Sequence, residues 1–254
     1  MSNLGQHWLL LRGLGRESAH WGEFKSLMQA HFMPADIHSL DLIGAGDLYE
    51  SISPDNVAQI TAQLRERAAQ LGLLTQPITL CAVSFGAMVA WHWLKTYPQD
   101  CAGACLINTS FANLSPFYQR LRWQNLPQLL RIIMTRNIAK REAAIIHLVA
   151  NNRDNDQKTT ALWISIQQRR PIHYQTVLKQ LIAAARFDSG NKPDKPILIL
   201  SAQGDKLVSP RCSLAIAQHY QLNCVVHSWA GHDLSSDDPH WVIEQLTKWL
   251  TSNN

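Results

Sequence analysis

Pro77-Ile78-Thr79-Leu80-Cys81-Ala82-Val83-Ser84-Phe85-Gly86 holds the pattern that decides the fold. The run up to Val83 is short and apolar, as a buried strand is. Phe85 to Thr96 follows at once and is apolar nearly all round, as a buried helix is. Ser84 is left on the sharp turn between them. A Ser there projects its hydroxyl from the sheet edge, and the turn needs small residues two before and two after it. Ala82 and Gly86 supply them, with Ala where Gly is commoner. Small-x-Ser-x-Gly strings are frequent by chance, so the strand–turn–helix context gives this one its weight.

Outward from this segment, strand-like and helix-like stretches alternate, which predicts a parallel sheet with helices on both faces. His7 to Arg12 is an apolar strand, His20 to Phe32 has helical spacing, and Asp36 to Leu42 alternates like a strand. Ser53-Pro54-Asp55 looks like a helix start, with Asn56 to Leu71 as the helix. Cys101 to Thr109 is a further strand. From about Phe111 to about Phe187 the chain reads as helices only, and at Pro196 the alternation resumes. Strand Pro196 to Ala202, helix Arg211 to Tyr220, strand Asn223 to Trp229 and helix Pro239 to Leu250 complete the chain. Two final strands could not build a core of their own. The expected organisation is therefore one α/β core, residues 1–110 and 188–254, with a helical cap at 111–187 inserted in it.

Three more segments follow the carboxyl ends of strands, where parallel sheets place their sites. Asp205 lies in Gly204-Asp205-Lys206-Leu207-Val208, and His232 in Ala230-Gly231-His232-Asp233. The order Ser, Asp, His suits this architecture. A neutral Ser hydroxyl is a poor nucleophile. His232 would take its proton, and Asp205 would fix the imidazole tautomer and stabilise imidazolium. After the first strand comes Arg12-Gly13-Leu14-Gly15, where the backbone N–H of Leu14 would join that of Phe85 in an oxyanion hole.

These segments, with Asp41-Leu42-Ile43-Gly44-Ala45-Gly46, resemble the α/β-hydrolase superfamily over nearly the whole chain. The resemblance implies a mostly parallel six-stranded sheet, ordered 4-3-5-6-7-8 in the superfamily's strand numbering and lacking its first two strands. It also implies a helical cap after the fourth strand of this chain. Arg12 stands where many members carry His. The superfamily implies a mechanism and leaves the substrate open.

Other residues compete for these roles. Asp233, Asp237 and Asp238 are rival acids, but they lie beside or after His232, where its Nδ1 is awkward to reach. His227 reads as a packed strand residue, and His147 and His173 as surface or pocket-lining. Glu17 reads as an exposed carboxylate leading a helix. Gly13-x-Gly15 and Gly44-x-Gly46 read as turns, since Gly13 to Ser18 does not close as a dinucleotide fingerprint. No His, Cys or Asp cluster has metal spacing, so neither metal nor cofactor is expected.

Composition bounds the function further. The chain has 254 residues, 46% apolar and 17% charged, with nine Trp, which is enough for a sizeable core. No apolar run reaches membrane-span length, and Met1 to Arg12 has no signal-peptide pattern. Five Cys without a CxxC pair read as reduced thiols, and so as a cytoplasmic protein. Residues 112–190 hold 12 of the 23 Lys and Arg but 4 of the 19 Asp and Glu, a net of +8 against −4 elsewhere. That charge is too diffuse for nucleic acid. Most of it is expected to be a solvated face over a packed apolar underside. A sharper reading has Phe117, Leu121, Trp123 and Trp163 as an acyl wall, with a basic rim that receives an anionic or carrier-bound substrate. A membrane-surface role ranks third, and membrane association is not expected.

The expected function is hydrolysis of a carboxylic ester or thioester through an acyl-enzyme. Dehalogenation or epoxide opening would want Asp at position 84. Acyl transfer or a lyase step could use the same site. A ligand-binding protein without activity would be expected to lose one of the three residues, and all three are present.

Overall fold

A computed structural model describes residues 3–154 and 156–253. Its sheet has six strands: β1 (His7–Leu11), β2 (Asp36–Leu40), β3 (Ile78–Val83), β4 (Cys101–Ile107), β5 (Ile197–Ala202) and β6 (Asn223–His227). They lie in the order β2-β1-β3-β4-β5-β6, and every pairing is parallel. This is the architecture that the alternation predicts. β3 is buried along its whole length because helices cover both faces.

Side chains on successive strand positions leave the sheet on opposite faces. Leu9, Leu80, Leu106 and Ile199 enter one apolar layer with α2 (Val57–Gln70), α3 (Phe85–Thr96) and α9 (Pro210–Tyr220). Trp8, Leu10, Cys81 and Leu198 enter the other with α1 (Phe24–His31) and α11 (Pro239–Asn253). From β1 the chain steps outward to β2 and then crosses back to β3. That reversal falls between β1 and β3, and such sheets bind ligands outside the carboxyl ends of the strands at this point.

Between β4 and β5 the chain forms α4 (Phe117–Arg120), α5 (Leu126–Met134), α6 (Ile138–Val149), α7 (Asp156–Arg169) and α8 (Tyr174–Arg186). Among the described residues this insertion holds no strand. It has a small apolar cluster of its own around Ile146, Trp163 and Ile166, against which Ala19 and Leu207 of the sheet-bearing part pack. Ala183 and Phe187 instead join the first apolar layer.

Local differences have local causes. Helical spacing from His20 resolves into a 3-10 turn, Ser18–Trp21, and then α1. Gly22, at φ 53° and ψ −129°, separates the two, since no helix continues through that geometry. Asn56, rather than the preceding Ser53-Pro54-Asp55, caps α2 by accepting the Gln59 N–H. A short helix after His232, α10 (Leu234–Asp237), has too few residues to show periodicity. Among the described residues no helix is long and apolar enough to cross a membrane.

Candidate active site

The turn after β3 places Ser84 at φ 56° and ψ −117°, a conformation that L side chains rarely adopt. Strain of this kind persists only where the surroundings hold it. The Ser84 N–H donates to the Ile107 carbonyl at 2.8 Å, and Thr109 Oγ1 donates to the Ser84 carbonyl at 2.9 Å. Gly86 is required by space: a Cβ there would sit 2.4 Å from the Arg12 carbonyl oxygen. Ser84 is half-buried, directly after the carboxyl end of β3 and beside β1 in the sheet.

Asp205 follows β5 and is buried. Its Oδ1 accepts the N–H groups of Leu207 at 2.7 Å and Val208 at 2.9 Å. Its Oδ2 lies 2.7 Å from His232 Nδ1. The backbone bonds aim the carboxylate, and the carboxylate then orients the ring. The His232 loop is held in turn by Asn108, whose Nδ2 donates to the carbonyls of Gly231 and His232 at 3.1 and 2.9 Å. Burial lowers the pKa of His232, but the charge and hydrogen bond of Asp205, aided by the Asp233 charge, outweigh it and raise the imidazole above its ordinary value. Among the described residues, no hydrogen bond links the Ser84 hydroxyl to His232. Such contacts commonly tighten only when substrate arrives.

The rival acids are engaged elsewhere. Asp233 forms a bidentate pair with Arg12, with Nη1 to Oδ1 at 3.1 Å, and both side chains are buried. Asp237 accepts the backbone N–H groups of Gly231, Asn151 and Asn152. Asp238 meets His227 Nε2 at 3.3 Å. His227 ends β6 and is buried, while His147 and His173 lie exposed on the insertion.

Gly13 packs directly against the turn, where a Cβ would lie 3.2 Å from that of Ser84. The Gly15 N–H is taken by Gln180 Oε1 at 2.9 Å. The Leu14 and Phe85 N–H groups donate to no other described residue.

Arg12 and Glu17 have roles that their sequence positions do not reveal. Arg12 ties the end of β1 to the residue after His232, and its guanidinium also lies 4.8 Å from the Trp21 ring centre. Glu17 is buried, correcting the expectation of an exposed carboxylate. It is held by Arg170, the residue just past α7, with Nε to Oε2 at 3.0 Å, and it stands at the N-cap of the Ser18–Trp21 turn. Its neighbour Arg16 reaches Glu142 of α6 at 2.7 Å and lies over Trp163. The loop carrying Leu14 is thus pinned to the insertion through the three residues that follow it.

The residues of the expected acyl wall differ in exposure. Phe117 and Trp123 are 74% and 59% exposed, and Leu121 is half-buried. Only Trp163 is enclosed, edge-on to His20. The apolar cluster of the insertion turns Ile132 inward and includes neither Phe117 nor Trp123.

A parallel sheet with a positive-φ Ser at its central turn and a buried His–Asp pair along the same edge defines the α/β-hydrolase class of folds. The chain belongs to the alpha/beta hydrolase family, whose model matches residues 8–245. No curated protein matches the sequence. Solved structures match the fold closely at low identity. An enol-lactonase from Burkholderia xenovorans LB400 is 15% identical with a TM-score of 0.76, the alignment covering 96% of this chain and 91% of that one. A thermophilic esterase from Thermogutta terrifontis is 20% identical with a TM-score of 0.71, over 97% of this chain and 89% of that one. A lipase-esterase related protein from Clostridium acetobutylicum is 13% identical with a TM-score of 0.73, over 98% and 96%. At the level of the family, the activity is hydrolysis.

Proposed function

We propose that this protein is a serine hydrolase that cleaves a carboxylic ester or thioester through an acyl-enzyme. His232 Nε2 takes the Ser84 proton as Oγ attacks the carbonyl carbon. The Leu14 and Phe85 N–H groups hold the oxyanion, and the imidazolium returns its proton to the departing alcohol or thiol. Water, deprotonated by the same imidazole, then releases the acid and frees Ser84. One observation carries this reading: Asp205 orients His232 at 2.7 Å on the sheet edge where Ser84 is held in a strained turn.

The cytoplasm is the proposed compartment, supported by five cysteines that are all free, four of them buried. The net +8 of residues 112–190 supports an anionic or carrier-bound acyl substrate, drawn in by the field of the insertion.

A panel of nitrophenyl esters and acyl thioesters of graded chain length tests the reading. The expected result is a burst of leaving group equal to the enzyme, followed by slower turnover. Tight binding of such compounds without any leaving-group release would instead mark a protein that binds ligands and performs no chemistry.

A further inference from the structure

Helix α5 wears its apolar residues on the wrong side for a helix that only packs. Leu129 and Ile132 face the insertion's apolar cluster. Leu126, Leu130, Ile133 and Met134, spaced i, i+4, i+7 and i+8, form a second stripe that faces water. Leu130 is 59% exposed, Ile133 71% and Met134 80%. Trp123, one turn before the helix, extends the exposed apolar surface and borders a groove of about 550 Å³ that Arg122 and Arg211 also line. An apolar surface of this kind on a soluble fold marks an interaction site.

Charge selects the occupant. Residues 112–141 contain six Lys and Arg and no Asp or Glu; of the six, Arg120 and Arg122 donate to backbone carbonyls and Arg141 pairs with Glu142. Arg131 and Arg136 are exposed, one on α5 itself and one just beyond it. A two-fold dimer through this face would set these cations against their own copies. An anionic bilayer offers apolar depth for the stripe and negative headgroups for the cations.

We propose that the α5 face of the insertion docks reversibly on an anionic membrane surface, lying in the interface without spanning it. The proposal is independent of the catalytic reading. It departs from the expectation of no membrane association, because Leu130, Ile133 and Met134 are exposed rather than packed underneath.

Vesicle co-sedimentation of the full chain tests this. The protein is expected to pellet with phosphatidylcholine vesicles containing phosphatidylglycerol, far less with phosphatidylcholine alone, and progressively less as salt rises. The exposed double variant Ile133→Ser with Met134→Ser is expected to lower partitioning about tenfold or more, with an unchanged circular dichroism spectrum and unchanged turnover of a soluble ester. Arg131→Gln with Arg136→Gln is expected to remove the preference for the anionic vesicles. No pelleting with either vesicle would overturn the proposal, as would equal pelleting with both. A dimer in analytical ultracentrifugation that the serine variant dissolves, without vesicle binding, would assign the face to a second copy and also overturn it.

Discussion

The carboxyl edge of the sheet and the helical insertion treat their polar and apolar residues in opposite ways. At the sheet edge Asp205, Asp233, Arg12 and His232 are all buried, and each has a defined partner. On the insertion, Ile133, Met134 and Trp123 face water, and Arg131 and Arg136 are exposed. A buried charge without a partner is costly, so groups at the edge persist only in fixed arrangements. An exposed apolar stripe costs little in stability and stays available to a ligand or surface. This contrast is what the proposed division rests on: chemistry at the edge and recognition on the insertion.

Ser84→Ala is the harshest attack on this division. It should lower turnover roughly 10⁵-fold or more while leaving the thermal unfolding midpoint nearly unchanged. Asp205→Asn should cost about 10⁴-fold in kcat, since the imidazole loses the partner that sets its tautomer. Asp233→Asn sharpens the contrast within the edge. It should change turnover by less than about tenfold but cost about 3 kcal/mol of stability, read from urea unfolding, because Arg12 is left buried without its counter-charge. Equal losses of turnover in the two Asp variants would erase the distinction between orienting and structural carboxylates.

Ser84, Asp205 and His232 stand out in the sequence because each lies on the segment that follows a strand, and local pattern suffices to find strand ends. The Arg12–Asp233 pair is not legible, because its members are 221 positions apart and meet only through the sheet order. Glu17 misleads for the same reason: its partner Arg170 lies 153 positions away, on another element. The exposure of Phe117 and Trp123 is a different matter. Helical spacing shows that a helix has an apolar side, but it does not show whether anything covers that side. Asn108, which holds the His232 loop, has one local signal in its place directly after β4, and no spacing rule links it to that loop.

Acidity offers a subtler comparison. The raised pKa of His232 keeps the ring protonated, and so unable to act as base, to a higher pH than an ordinary imidazole. kcat/KM should therefore rise with pH along a limb centred above 6.5, the ordinary value. In Asp233→Asn, loss of a nearby negative charge should move that limb to lower pH, and an unmoved limb would remove Asp233 from the electrostatics of the site. The smallest effect concerns the insertion. For substrates of equal acyl length, the ratio of kcat/KM for anionic over neutral should fall several-fold as salt rises. A constant ratio would separate the basic surface from substrate delivery.

Covalent capture tests the central claim most directly. The protein would be treated with a fluorophosphonate, digested, and the labelled peptide sequenced by mass spectrometry. The account predicts one stoichiometric adduct on Ser84, formed slowly in Asp205→Asn and absent in Ser84→Ala. Failure of the native protein to react, or an adduct on any other residue, would contradict it.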